Sequence, residues 1–424
     1  MMSREQSELL TQVGPGTPMG DLFRRYWIPV LLASELPGPD CPPIRVKLLG
    51  ERLLAFRDSE GAYGLIDEFC AHRGVPLWFG RTESCGIRCP YHGWKFGTDG
   101  ACLEIPSEPE GSTVHRNMRL KAYPLVERGG VIWAYMGDPE ARPPEPGFEW
   151  IALPDSHKYL SKRWQETNYL QSMEGGIDSV HVSFLHSADL DSDPLHRSTE
   201  GAKYQRDTTP TFEVLDSPGG LLIGARRRAE ADQSYMRITQ WIMPWYTMVP
   251  PYGANALNGH AWVPIDDENC FVWTFTWHPM RPLTEAELEA MRDGGGIHTT
   301  LIPGTFRPTL NRDNDYGMDR HGQKAGRTYS GVKGIAMQDA SIQESMGPIS
   351  DRSREHLVGT DRAIIMARRQ LAKAATGKLA QPPGLDPDSH RVRSATFLAP
   401  ADVPLQDMPA ERFAAVPGVA PVSI

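Results

Sequence analysis

The sequence has no excess of basic residues and no long hydrophobic run. Its 44 lysine and arginine residues are outnumbered by 53 acidic residues, which gives a net charge of -9 over 424 residues. Proteins that bind nucleic acid or anionic lipid need a basic surface, so neither partner is expected. No apolar stretch is long enough for a signal peptide or a membrane-spanning helix. We therefore expect a cytoplasmic protein.

Cysteine is also scarce in this sequence. Six cysteines are too few for a disulfide framework, and a chain of this length can bury a core without one. We expect the cysteines to be reduced, and some of them are then available to bind a metal.

Glycine and proline are abundant, at 40 and 37 residues, and they separate short segments typical of strands. Period-two patterns predict antiparallel strands at 45–49, 52–56, 63–66 and 131–136, and after a proline-rich break at 138–146 further strands at 211–214, 221–228, 235–241 and 270–277. A helix is expected over 171–186, another from a Thr284 capping box, and a third from Thr360 to about Gly377. The pattern indicates an α+β fold.

The same pattern divides the chain into four parts. We predict an N-terminal helix and strand segment (1–43), a β-rich domain (44–145), a second domain (146–380) and a C-terminal tail (381–424). The tail is rich in proline and alanine, and we expect it to wrap the surface with little structure of its own.

Two short motifs each combine a cysteine with a histidine. Cys70-Ala71-His72 is followed after sixteen residues by Cys89-Pro90-Tyr91-His92. Chance gives roughly 0.2 occurrences of either spacing in this composition, so the pair is a strong metal signal. A structural zinc site uses the same ligand types. Because each loop supplies one thiolate and one imidazole, the two loops instead suit a two-iron cluster with both sulfurs on one iron and both histidines on the other.

Both motifs, extended to Cys70-Ala71-His72-Arg73-Gly74 and Cys89-Pro90-Tyr91-His92-Gly93-Trp94, resemble the Rieske motifs of ring-hydroxylating oxygenases. The resemblance runs from about Pro18 to Leu371. It implies a [2Fe-2S] cluster bound by Cys70, His72, Cys89 and His92. It also implies an N-terminal all-β Rieske domain and a C-terminal catalytic domain of helix-grip type, in which helices cover a curved antiparallel sheet.

A second group of possible ligands lies between residues 168 and 186. Asp178 and His181 would share one face of a helix, but His181 and His186 would point about 140° apart on a regular helix. For both histidines to bind one ion, the helix must bulge or must end before His186. Non-haem iron oxygenases use two histidines and one carboxylate. The resemblance implies that His181 and His186 are the iron ligands and that Asp178 is not one.

The third ligand must come from elsewhere in the chain. Five later carboxylates are candidates: Asp315, Asp319, Asp339, Glu344 and Asp351. The segment 334–357 resembles the phthalate-dioxygenase-like branch of the family, which implies that Asp339 completes the triad. Asp351 and Glu355 are instead expected in surface ion pairs with neighbouring arginines.

These motifs predict a terminal oxygenase that hydroxylates an aromatic, carboxylated substrate with O2. The sequence has no Gly-x-Gly-x-x-Gly nucleotide motif and too few spare cysteines for a ferredoxin cluster, so NAD(P)H must act through a separate reductase. In the family this partner is a flavin and iron-sulfur protein. Phthalate-type ring dihydroxylation is the predicted reaction, with O-demethylation or monohydroxylation of a methoxylated aromatic acid as the alternative. The alternative from a different class is an electron-transfer or zinc-stabilised protein that catalyses no reaction.

One predicted strand carries possible substrate-binding residues. We expect an aromatic wall from Met236, Trp241, Met243, Trp245, Tyr246 and Met248. Arg226, Arg228 and Arg237 could each bind a substrate carboxylate, with Arg237 the preferred residue. The alternative is that these arginines are exposed and paired with Glu230 or Asp232.

The resemblance also implies an assembly. Family members form head-to-tail rings in which the cluster of one subunit serves the iron of its neighbour, so a homotrimer or a stacked pair of trimers is expected. Asp178 is then expected to bridge His181 and the neighbour's His92.

Overall fold

The computed structural model describes residues 2–196 and 199–424, which divide into two compact units. The smaller unit contains residues 14–16 and 20–143, and the larger contains residues up to Val13, 17–19 and everything from Pro144. No helix in the described part of the chain is both long and apolar enough to cross a membrane. A strand-rich unit followed by a sheet-and-helix unit confirms the predicted α+β class.

The smaller unit consists of three antiparallel sheets. Its strands are β1 (Trp27–Leu32), β2 (Ile44–Leu48), β3 (Glu51–Arg57), β4 (Tyr63–Asp67), β5 (Arg81–Glu83), β6 (Gly86–Arg88), β7 (Lys95–Phe96), β8 (Cys102–Glu104), β9 (Leu125–Arg128) and β10 (Val131–Tyr135). They pair in the orders β1-β10-β9, β2-β3-β4 and β5-β6-β7-β8. Leu49 and Gly50 both have positive φ in the two-residue turn between β2 and β3, as tight hairpins require. The predicted strands of this region are confirmed.

The larger unit contains an eight-stranded antiparallel sheet. Its strands are β11 (Lys158–Gln165), β12 (Thr211–Asp216), β13 (Gly220–Arg228), β14 (Gln233–Ile242), β15 (Tyr246–Val249), β16 (Leu257–Pro264), β17 (Cys270–Trp277) and β18 (Ala395–Pro400). The order is β11-β17-β16-β15-β14-β13-β12, and β18 also pairs with β14.

The helices are α1 (Arg4–Thr11), α2 (Pro18–Phe23), α3 (Tyr169–Ile177), α4 (Asp189–Ser192), α5 (Glu200–Tyr204), α6 (Glu285–Arg292), α7 (Arg320–Lys324), α8 (Ile335–Ser345) and α9 (Arg362–Ala375). The Thr284 capping box of α6 is confirmed, because its hydroxyl accepts from the Glu287 N–H. Helix α9 follows Asp361 rather than Thr360, so that predicted start is wrong by one residue.

The C-terminal segment has more structure than the sequence predicts. Strand β18 pairs with β14, and Phe397, Leu405, Met408 and Phe413 form a buried cluster with it. The expectation of little structure is therefore wrong. The segment 395–399 is a short, mostly apolar run, which is compatible with a buried strand, and the flanking prolines and alanines conceal it.

Helix α3 lies against the sheet and against α8, and two glycines allow the close approach. A Cβ atom at Gly175 would collide with the Gln343 side chain of α8, and one at Gly176 would collide with the Trp262 ring of β16. Arg368 of α9 donates to both carboxylate oxygens of Glu174 at 2.6 and 2.9 Å. These contacts place the C-terminal end of α3 between the sheet and α8.

Candidate metal centres

The two cysteine loops of the smaller unit have the same backbone geometry. The N–H of Cys70 donates to the Val75 carbonyl at 2.9 Å, and the N–H of Cys89 donates to the Trp94 carbonyl at 2.8 Å. In each loop the glycine four residues after the cysteine donates back to the cysteine carbonyl, at 2.9 and 3.0 Å. Both glycines have positive φ, 69° and 75°, which favours glycine at these positions.

The loops bring two thiols and two imidazoles together in a common arrangement. Cys70 and Cys89 are 4% and 2% exposed, whereas His72 is exposed and its ring centroid lies 4.5 Å from that of His92. Burial is the main cause that raises the pKa of Cys70 to about 11, and the nearby Cys89 adds to it. A metal would hold both thiols as thiolates. Two buried sulfurs, together with an exposed His72 and a half-buried His92, suit the Rieske cluster, whose irons take different ligand types.

Helix α3 ends earlier than the sequence predicts. Ile177 is its last residue, and His181 begins a short 3-10 segment that ends at Ser183. Asp178 follows the helix, and its side chain accepts from the Val180 N–H at 2.7 Å. Asp178 and His181 therefore do not share a helix face, which corrects that expectation. Of the two ways in which both histidines could bind one ion, the structure has the helix that ends before His186.

His181, His186 and Asp339 meet at the end of α3. The two Nε2 atoms are 3.2 Å apart, and a carboxylate oxygen of Asp339 lies 3.5 Å from one and 3.3 Å from the other. Asp339 comes from α8, which begins after Gly334 at φ 84°. Burial alone would raise the pKa of Asp339, but His186 and His181 lower it to about 2.

This donor set fits one metal ion. Three ligand atoms at right angles, each about 2.1 Å from an ion, would be about 3 Å apart, close to the observed separations. Two imidazoles and one carboxylate are the set that non-haem Fe(II) oxygenases use, with the remaining positions open. Thiolates, which would favour other metals, are missing from this group.

The other candidate carboxylates have different partners. Asp319 caps α7, Asp351 accepts from Ser353, Glu344 accepts from Tyr316, and Asp315 is exposed. Glu355 pairs with the largely buried Arg368 at 2.6 Å. The expectation that it pairs with a neighbouring surface arginine is therefore wrong.

Each of the two histidines directs its Nδ1 atom away from the shared centre. His186 Nδ1 lies 2.7 Å from Oε1 of Gln338, whose side-chain amide donates in turn to Asp189 and to the Val332 carbonyl. His181 Nδ1 lies 3.4 Å from Oδ2 of Asp178. Oxygens at Nδ1 favour the tautomer that leaves Nε2 free to bind a metal.

A cavity opens beside the three ligands. Its apolar lining includes Val182, Leu190, Val249, Trp262, Ile297 and Ile335. The predicted aromatic wall is wrong. Its six residues are buried elsewhere and do not line this cavity in the described part of the chain: Met236, Trp241, Met243, Trp245, Tyr246 and Met248. The aromatic contribution comes instead from Trp262 of β16 and from Tyr252.

The three predicted arginines lie in different environments. Arg237 lines the cavity, is 6% exposed and donates to Ser179 Oγ at 3.2 Å. Arg226 pairs with Glu213 at 2.8 Å, and Arg228 lies 3.4 Å from Asp207. Neither belongs to the described cavity lining, so a substrate role for Arg226 or Arg228 has no geometric support. Their side chains lie on the other face of β13, because alternate strand residues point to opposite faces.

Sequence reasoning missed three buried polar residues near the centre. Gln338 precedes the predicted ligand, but nothing in its spacing marks it as the partner of His186. Arg227 is 1% exposed and donates to the Ser179 carbonyl at 2.6 Å, beside the metal-binding turn. Because side chains alternate along β13, Arg227 points to the opposite face from Arg226 and Arg228, and this alternation could have indicated that it is buried. Arg163, on β11, lines the cavity.

Known families and relatives match most of the chain. The Rieske [2Fe-2S] domain family matches residues 26–124, and the family described as LigXa C-terminal domain like matches residues 134–404. The 3-chlorobenzoate-3,4-dioxygenase oxygenase subunit of Comamonas testosteroni is 36% identical, over 95% of this chain and 96% of its own. The phthalate 4,5-dioxygenase oxygenase subunit of Pseudomonas putida is 35% identical, over 88% and 86%.

The fold is similar to that of solved structures at lower identity. The crystal structure of dicamba monooxygenase bound to 3,6-dichlorosalicylic acid aligns with a TM-score of 0.59 at 17% identity. The alignment covers 84% of this chain and 99% of the other. The two-unit architecture is therefore shared with a solved oxygenase.

Proposed function

Because this chain belongs to the Rieske non-haem iron oxygenases, we propose that it dihydroxylates the ring of a phthalate-type aromatic acid. The chain is an enzyme, a terminal oxygenase component with a Rieske [2Fe-2S] cluster and a mononuclear iron that uses O2 and electrons from a reductase. Membership of this oxygenase family is inconsistent with the alternative of a zinc-stabilised or electron-transfer protein that catalyses no reaction. One observation carries the proposal: a metal-binding triad and a buried arginine face the same cavity.

We assign the cluster to Cys70, His72, Cys89 and His92, and the mononuclear iron to His181, His186 and Asp339. The matched loops support the first set, and donor separations of 3.2 to 3.5 Å support the second. When bound, the cluster supplies single electrons and the mononuclear iron provides the site for O2. Gln338 holds the His186 ring by accepting at Nδ1, so this side chain keeps the ligand oriented.

Arg237 is the proposed anchor for a substrate carboxylate. Its Nε is buried and has no hydrogen-bond partner in the described part of the chain, and Nη1 donates only to Ser179. A carboxylate can accept from the free Nε, and the apolar lining then holds the ring in a dry space beside the triad. The relatives named for phthalate and 3-chlorobenzoate support an aromatic acid as the substrate class.

The function is tested by oxygen uptake with an electron-donating reductase and a panel of aromatic acids. Ring dihydroxylation adds both oxygen atoms of O2 to one product, so the product mass increases by 34 with two hydrogens. Release of formaldehyde from a methoxylated acid would indicate O-demethylation instead. We expect Arg237→Gln to weaken binding of the acid substrate about tenfold or more, while Arg228→Gln leaves it unchanged. Equal effects of the two variants would show that Arg237 does not bind the substrate carboxylate.

We also propose that Asp178 connects the two metal sites across a subunit boundary of a homotrimer or stacked pair of trimers. Its carboxylate lies 3.4 Å from His181 and is 26% exposed, so one side can contact a second imidazole, proposed to be His92 of the neighbouring subunit. Asp178→Asn should keep both metals and the oligomeric mass but slow cluster oxidation at least a hundredfold in an anaerobically reduced, single-turnover reaction. An unchanged rate would exclude this role.

A further inference from the structure

Arg163 is a buried cation with unsatisfied hydrogen-bond donors. The residue is 4% exposed, lies on β11 and lines the cavity beside the triad. Its Nε and Nη1 are buried without a hydrogen-bond partner among the residues that the structure describes. Nη2 has only a 3.5 Å contact with Oε1 of Gln165. A buried guanidinium with free donors is unfavourable unless something fills the site.

Two buried arginines of the larger unit, Arg368 and Arg393, show how this chain can satisfy a structural guanidinium. Arg368 donates to the carboxylates of Glu174 and Glu355, four contacts between 2.6 and 2.9 Å. Arg393 pairs with Glu149 and donates to the Val419 carbonyl. Arg163 differs from both because its donors face a cavity instead of a carboxylate of the chain. This difference indicates that the partner is a ligand.

Arg163 and Arg237 lie on separated strands of the sheet. They belong to β11 and β14, which are separated by three strands in the order β11-β17-β16-β15-β14. Burial and the nearby Arg163 lower the pKa of His260 to about 3. Both arginines therefore line one cavity from strands that are not neighbours.

The charges around the cavity favour a dianion. Its described charged lining consists of Asp178 and Asp339 against Arg163 and Arg237, with His260 neutral at physiological pH. These four charges cancel, and a ferrous ion adds two positive charges to the centre. A ligand with two carboxylates would restore neutrality and would satisfy both sets of free donors.

We propose that Arg163 is a second anion-binding residue and that the cavity takes an aromatic substrate with two acidic groups, one bound by Arg237 and the other by Arg163. This inference rests on the proposed function, because it names the substrate class of the same site. It assigns specificity for a diacid to Arg163, a residue on the far strand of the sheet from Arg237.

Equilibrium binding to the anaerobic holoenzyme tests this assignment without turnover. Probes are benzoate, 1,2- and 1,3-benzenedicarboxylate and 4,4'-biphenyldicarboxylate, with dissociation constants from calorimetry. At least one diacid should bind about tenfold or more tightly than benzoate. Arg163→Met should bring that diacid to within about threefold of benzoate and leave benzoate itself unchanged.

Lys162→Met is the matched control. Lys162 is the neighbouring buried cation on β11, 2% exposed, and its Nζ lies over the Phe271 and Phe306 rings at 4.8 and 4.3 Å. It belongs to the opposite face of the strand, so its replacement should retain the diacid preference. Arg163→Lys keeps the charge but loses the guanidinium fork, and it should weaken diacid binding several-fold if the methionine variant does not fold.

Four outcomes would overturn the inference. Unchanged diacid binding in both Arg163 variants would exclude an anchor, and equal weakening of benzoate would make Arg163 a general acid-binding residue. Loss of iron from Arg163→Met would show that it supports Asp339 instead. If monoacids are bound and oxygenated without any diacid preference, this inference fails while the proposed function stands. If no aromatic acid binds at all, the proposed function fails.

Discussion

The two metal centres of this chain are built in different ways. The loops of the smaller unit carry Cys70 and Cys89 in two copies of one backbone geometry, and each loop forms its own two hydrogen bonds. In the larger unit, two histidines come from the turn after α3 and the carboxylate comes from α8, more than 150 residues later. The first centre depends on local loop structure, whereas the second depends on how helices pack on a sheet.

The metal ligands of the two centres also differ in how far they are exposed to solvent. His72 is exposed, as suits a cluster that exchanges electrons with other proteins, but His186 is only 4% exposed. The triad is enclosed by apolar residues and buried arginines that can exclude water and bind a substrate. A change in one centre should therefore leave the other intact, and the predictions below test this separation.

The largest effect should come from Cys89→Ser. Replacing this buried thiol removes a cluster ligand, so the visible absorption and the reduced EPR signal of the cluster should disappear. Cys102→Ser is the control, because Cys102 is also buried, at 4% exposed against 2% for Cys89, but lies outside both loops. It should keep both signals. A cluster spectrum in the Cys89 variant would contradict the assignment.

Asp339→Asn tests the other centre. The neutral amide is a weaker ligand, and product formation should fall by more than about a hundredfold while the cluster spectrum is retained. Glu344→Gln alters a second carboxylate of the same helix, which is buried, accepts from Tyr316 at 2.6 Å and does not belong to the triad. It should retain most of the activity. Similar losses in both variants would indicate damage to α8 rather than to a ligand.

Gln338→Leu should have an intermediate effect. It removes the acceptor that holds the His186 ring, and such orienting contacts contribute about 10- to 100-fold to metal affinity or activity. Ser341→Ala, one turn along α8, removes a hydroxyl that bonds only the Gln338 carbonyl within the helix. Titration of the metal-free centre with Fe(II) distinguishes the two variants. Equal affinities would show that Gln338 does not support the ligand.

The smallest effect concerns acid stability. Burial lowers the pKa of His390 in the larger unit to about 4, and the neutral ring accepts from the Gly147 N–H at 3.1 Å. The ring of the unfolded chain takes up a proton near pH 6.5. The contribution of the neutral His390 ring to the free energy of unfolding is therefore present above that pH and is lost as the pH falls from about 6.5 to 4. His390→Gln should reduce this slope in chemical unfolding experiments, whereas His321→Gln, at an exposed position of the same unit, should not. Identical slopes would contradict the prediction.

The cluster ligands could be proposed from sequence because their chemistry lies in short, regularly spaced motifs. Residues 70–74 and 89–93 each carry a histidine two or three residues after the cysteine and a glycine four residues after it, and the two loops share their backbone hydrogen bonds. Most strands could be predicted for the same reason, since period-two patterns are local. The early end of α3 could not be located, although Gly175 and Gly176 weaken a helix.

The surroundings of the triad depend on long-range packing. Local patterns did not identify Arg163, because an arginine within a strand is more often exposed than directed into a cavity. The aromatic residues of β14 and β15 were placed in the cavity, yet they fill the core, and Trp262 of β16 lines it instead. Which strand faces the ligands is decided by the order of the sheet, which a single sequence does not reveal.

Iron and acid-labile sulfide analysis of three proteins tests the central claim of two separate centres most directly. The wild type should contain about three irons and two sulfides per chain. Asp339→Ala should lose only the mononuclear iron, and Cys89→Ser should lose both sulfides and keep one iron. Zinc in place of sulfide-bearing iron, or three irons retained in Asp339→Ala, would contradict the account.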